Sequence, residues 1–149
     1  MIAFVTAGAG FLLAVLWFDL MFDVQILGHR ENELPEKTLS SIATYYRRVT
    51  TAARPMNKLI AAVMLATVAA IVLEIVDGGI SSWAAWVSLL LACAPILLAG
   101  GHTVPSAVRL GTRADSIEAQ SALARSICRE HLLCLASIAA LLVLQLSCT

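Results

Sequence analysis

Four apolar runs, each close to the roughly 20 residues that a membrane-crossing helix needs, dominate this chain. They cover about residues 2–27, 56–76, 80–101 and 131–147. With 60% hydrophobic and only 13% charged residues, the composition departs from a soluble average in the same direction. At 149 residues the length suits one domain. The sequence therefore predicts an all-α, polytopic membrane four-helix bundle, residues 1–149 forming a single membrane domain with helical cytoplasmic extensions. No Lys or Arg precedes Arg30, so the basic start of a signal peptide is missing and the first run is read as a retained span.

The basic residues set the expected orientation. Arg30, Lys37, Arg47, Arg48, Arg54 and Lys58 follow the first run, and Arg109, Arg113, Arg125 and Arg129 follow the third. The positive-inside rule then makes segments 28–55 and 102–130 cytoplasmic and both termini external, in the cytoplasmic (inner) membrane. The turn at Asp77-Gly78-Gly79 is too short for anything but antiparallel neighbours. Glu74 and Asp77 are expected to cap it. Gly8 and Gly10, with Ala7 and Ala9, present small side chains for close helix packing, within the chain or in a homo-oligomer.

Both long connections carry helical signals. Leu39, Ile42, Tyr46 and Val49 recur at three- and four-residue spacing, an amphipathic pattern with Arg47 and Arg48 on its other face. Such a helix lies in the lipid headgroups, or serves as a lid or docking face. Asp115-Ser-Ile-Glu118 has the form of a capping box, and a helix starting there could run unbroken to Ser147. Pro95 should kink the third span, and His102 with Pro105 should end it.

Ionisable residues inside apolar runs are costly and point to function by default. Counted from the external helix ends at 1.5 Å per residue, Asp19 lies about 26 Å deep, Asp23 about 32 Å, His102 about 30 Å and His131 about 24 Å. Glu130 adjoins His131. Residues from three helices thus share one level at the cytoplasmic edge. If they converge, Asp19, Asp23, His102, His131 and Glu130 make a ligand set for a transition metal. They equally suit proton transfer, with His131, His102, Asp19 and Asp23 as the catalytic groups. Cys128, His131 and Cys134 are spaced by three on one helix, which also allows a soft-metal or haem site. Arg109, Arg125 or Arg129 pairing with the two aspartates is the structural alternative. The four cysteines contain no CxxC pair, and no basic patch interleaved with aromatics suggests nucleic acid.

Thr103-Val-Pro-Ser-Ala-Val-Arg-Leu-Gly111, followed by Cys128-Arg-Glu-His131 at the last span, resembles the anthrone-oxygenase-like family of small four-span membrane proteins. Thr103, Pro105 and His131 match that family's Thr-x-Pro segment and its histidine entering the fourth span. Ser106 and Ala107 stand where the family often has Asn, and Cys134 where it often has Arg. The resemblance covers the C-terminal third and implies a four-helix fold and an oxidoreductase or oxygenase-like activity on a hydrophobic small molecule. Two other classes stay open from the residues themselves: an oligomeric transporter or channel subunit, and an accessory subunit of a larger membrane complex.

Overall fold

The computed structural model describes residues 1–78 and 80–148, with Arg54 described by its backbone alone. Helix α1 (Ile2–Asp23) runs into a 3₁₀ turn at Val24–Gly28. After α2 (Glu36–Arg47) come a π turn at Arg48–Ala52 and α3 (Arg54–Asp77), then α4 (Ser82–Leu98). A second π turn at Ala99–Thr103 leads to α5 (Val104–Thr112), and α6 (Ile117–Ser147) completes the chain. No strand occurs among the described residues.

Four stretches are long and apolar enough to cross a membrane: Ile2–Gly28, Pro55–Asp77, Ser82–Thr112 and Ile117–Ser147. α1, α3, α4 and α6 form a closed four-helix ring, each packing against two neighbours in the order α1, α3, α4, α6. Its core is built from Val5, Ala9, Leu12, Ala70, Ile71, Ala92, Ile138 and Leu141. Phe4, Trp17, Leu65, Trp83, Leu97 and Val143 point outward and are well exposed. Bulky apolar groups outside and several small ones inside suit a lipid solvent, where close packing replaces water exclusion as the cause of helix association. α1 and α3 approach closely at Gly8, where an added Cβ would lie 2.1 Å from Thr67 Oγ1.

A second core sits at the basic end of the bundle. There Leu39, Ile42 and Tyr46 of the amphipathic α2 meet Ala107 and Leu110 of α5 and Ala124 and Ile127 of α6. Gly111 lets α5 lie against the α2 backbone, since a Cβ there would come within 3.1 Å of Arg47 N and Cα. The apolar face of α2 is thus buried against protein. The predicted unbroken last helix is present.

Three local expectations are corrected. His102 and Pro105 do not end the third span, because the helix passes through the Ala99–Thr103 π turn and continues to Thr112. Pro105 is the second residue of α5, directly after the π turn, so the helix continues through a proline whose missing N–H leaves one carbonyl of the preceding turn without its helical donor. Asp115 does not cap α6; Ser116 does, its Oγ accepting from the Ala119 N–H at 3.3 Å. Asp115 instead binds both Arg109 Nε and Nη2 at 2.8 Å, and that guanidinium holds its carboxyl below the usual carboxylate range. Lastly, the Glu74 side chain turns away from the α3–α4 turn and is buried.

Candidate functional site

Asp19 and Asp23 stand four residues apart near the end of α1, so their side chains share one face of the helix. Across from them α2 presents two consecutive tyrosines. Tyr45 donates to Asp19 Oδ1 at 2.6 Å, and Tyr46 donates to Asp23 Oδ1 at 2.5 Å. The Tyr45 ring is held in turn by stacking on Phe22, with centroids 4.0 Å apart and planes within 11°. From α6, His131 brings Nδ1 to 2.6 Å from Asp23 Oδ2, while its Nε2 faces Asp19 Oδ2 at 3.9 Å. Asp23, Tyr46 and His131 are buried; Asp19 is partly exposed.

Each atom's role follows from these distances. With Nδ1–H donating to Asp23, the Nε2 atom carries the lone pair. The 3.9 Å gap to Asp19 is too long for a hydrogen bond. A third polar atom placed beside that gap could touch Nε2 and the carboxylate together, at about 2.8 Å from each. The phenols are committed donors, because burial first and the neighbouring aspartates second push both tyrosine pKa values well above the ordinary value of 10.0.

That direction has a consequence for stability. A tyrosine whose folded pKa is raised contributes stability that is fully present below its unfolded pKa and is lost as pH rises beyond it. The protein is therefore expected to lose stability as pH climbs above about 10, the unfolded tyrosine value. Thermal unfolding in detergent across that range should show a smaller alkaline loss in Tyr46→Phe than in the parent. An equal loss in both would contradict the linkage.

The expected site residues divide into two groups. Asp19, Asp23 and His131 come together, whereas His102 turns to Glu130, Nδ1 lying 2.7 Å from Oε1. Glu130 also accepts from Thr103 Oγ1 at 2.6 Å and from Ser126 Oγ at 2.8 Å. His102 is 57% exposed while Glu130 is 6% exposed, so this pair sits at the surface with only its acid covered. The Thr103–Glu130 bond joins the start of the Thr103–Gly111 stretch to the Cys128–His131 stretch.

A metal centre shared by Asp19, Asp23, His102, His131 and Glu130 is not formed. Among the described residues no group of three or more His, Cys, Asp or Glu side chains could hold a metal ion. The reason is local: Nδ1 of His131 is taken by Asp23, both carboxylates are bound by phenols, and His102 is engaged by Glu130. Cys128 and Cys134 are free and buried. Among the described residues no ion pair joins Arg109, Arg125 or Arg129 to Asp19 or Asp23. Arg109 binds Asp115, and Arg125 donates to the carbonyl oxygens of His29 and Glu31.

Two tyrosines at this site escape a reading of the sequence. Tyr46 is legible only as a member of the apolar α2 face, and Tyr45 carries no signal beyond its adjacency. No protein-family model matches the chain, and neither a curated protein nor a solved structure shows significant similarity to it.

Proposed function

We propose that this is an inner-membrane protein performing acid–base chemistry on a small hydrophobic molecule at the cytoplasmic edge of the bilayer. The observation that carries the reading is the oriented His131 ring, clamped at Nδ1 by Asp23 and facing Asp19 across a gap at Nε2. Nε2 takes a proton from an acidic O–H or C–H placed beside it. Asp23 and Asp19 then flank the imidazolium and stabilise its charge. Tyr46 fixes Asp23, and Tyr45 fixes Asp19. Both long, basic connections lie inside under this reading, which rests on the distribution of Lys and Arg.

The resemblance of the Thr103–Gly111 and Cys128–His131 stretches to the anthrone-oxygenase-like family supports an aromatic substrate with an acidic C–H, of the anthrone type. Trp17, Phe18 and Met21, exposed on α1 beside Asp19, give such a molecule an apolar approach from the lipid. The test is hydrogen–deuterium exchange of an anthrone-type ketone in proteoliposomes made in D₂O, with oxygen uptake followed separately. Exchange should exceed that of empty vesicles, and His131→Gln should reduce the excess by about 100-fold or more, the usual scale for losing a positioned base. Exchange no faster than in empty vesicles, with the parent protein folded, would dismiss the acid–base reading for this substrate class.

A further inference from the structure

A second buried polar cluster lies at the opposite end of the bundle, where α3 turns into α4. Gln145 of α6 donates from Nε2 to Glu74 Oε2 of α3 at 3.1 Å and to Ser88 Oγ of α4 at 3.0 Å. All three are fully buried: Glu74 is 2% exposed, Ser88 and Gln145 are 0%. Two oxygens in this cluster, Glu74 Oε1 and Gln145 Oε1, have no hydrogen-bond partner. A buried acceptor without a donor is rare in folded proteins, and where one occurs it marks a water or ion site or a functional group. Two such atoms in one three-residue network point to a place for one electropositive group.

No hydrogen bond brings such a group to either oxygen. The charged groups on residues lining the adjoining cavity, of about 130 Å³, are Glu74, Asp77 and the Met1 amino group. Among the described residues no ion pair joins them, and no Lys, Arg or His contacts Glu74. Exposed Asp77 and buried Glu74 both line this cavity, three residues apart on one face of α3. The ligand types are also informative. Carboxylate, amide and hydroxyl oxygens suit hard cations, and a single carboxylate suits a single positive charge.

The Gln145 amide adds a geometric reason. Amide oxygen and nitrogen exchange places by a half-turn of the group. With Nε2 inward, as here, the amide itself acts as donor to Glu74 and Ser88. With Oε1 inward, the amide oxygen takes the place of Nε2, about 3 Å from Glu74 Oε2 and Ser88 Oγ; Ser88 can donate to it, but its contact with the Glu74 carboxylate repels unless a cation sits between them.

We propose that Glu74, Gln145 and Ser88 form a binding site for one alkali cation. It is entered through the cavity at the α3–α4 end. The site is independent of the acid–base cluster, since none of its residues touches His131, Asp19 or Asp23.

The test is labelling of Glu74 by dicyclohexylcarbodiimide in the full chain reconstituted in vesicles, read by peptide mass mapping. The reagent needs a protonated carboxyl: its O–H adds across one C=N bond, oxygen bonding to carbon and the proton passing to nitrogen. The adduct should form on the Glu74 peptide in choline chloride and be absent from Glu74→Gln. Sodium or lithium chloride replacing choline chloride at equal ionic strength and pH should slow labelling at least threefold. That protection should vanish in Gln145→Leu. Absence of the Glu74 adduct throughout, or an adduct indifferent to salt, overturns the proposal.

Discussion

Replacing Asp23 by alanine is expected to lower the stability of the bundle by about 3 kcal/mol. Asp23 accepts from two buried donors, the Tyr46 hydroxyl and His131 Nδ1–H. Deleting it strands both donors and leaves a space lined by polar atoms. Alanine also removes the bonds from Asp23 on α1 to both α2 and α6, leaving the Asp19–Tyr45 hydrogen bond between α1 and α2. Asp19→Ala should cost much less, because Asp19 has one hydrogen bond, to Tyr45, and is partly exposed. Asp23→Asn should fall between the two, since its carbonyl oxygen can still accept from one donor. Thermal unfolding followed by circular dichroism in detergent measures all three. Equal losses for Asp19→Ala and Asp23→Ala would mean that burial does not set the difference.

The second large effect is expected at Gly8. Alanine there puts a carbon 2.1 Å from Thr67 Oγ1, well inside van der Waals contact. Thr67 is buried and its hydroxyl already donates to the Val63 carbonyl at 2.8 Å, so it cannot swing aside freely. α1 and α3 must separate, at a cost of about 1–3 kcal/mol, the range for overpacking a tight interface. Gly10 is the internal control. A Cβ at Gly10 meets nothing within 4 Å, so Gly10→Ala should gain about 0.5–1 kcal/mol from helix propensity. Thr67→Ala in the Gly8→Ala background removes the colliding oxygen and should recover most of the loss. Opposite signs at two glycines of one turn would be hard to obtain from any cause other than helix contact.

The spans are readable in the sequence because length and apolarity are local properties, and so is the periodic face of α2. What escapes depends on neutral or distant partners. Glu74 looks like a turn cap because it lies three residues before Asp77; its partner, Gln145, is 71 positions away and uncharged. Counting depth along the helices puts Asp19, Asp23, His102 and His131 at one level but cannot tell which way His102 points. A π turn rotates it toward Glu130, and no periodic signal foretells that turn between Gly100 and Thr103. Arginines and histidines are the obvious partners for Asp19 and Asp23, and the phenols are overlooked because a tyrosine on an apolar face reads as core.

The separation of Asp23 from its two donors also sets an order of events during synthesis. Tyr46 follows Asp23 by 23 residues, but His131 follows by 108, on α6. For most of translation α1 carries carboxylates served by tyrosines alone, and the bundle ring stays open on the side that α6 closes. A chain interrupted before α6 would hold the same first helix with its acid group half satisfied. Closure of the ring and full satisfaction of Asp23 thus both wait for α6.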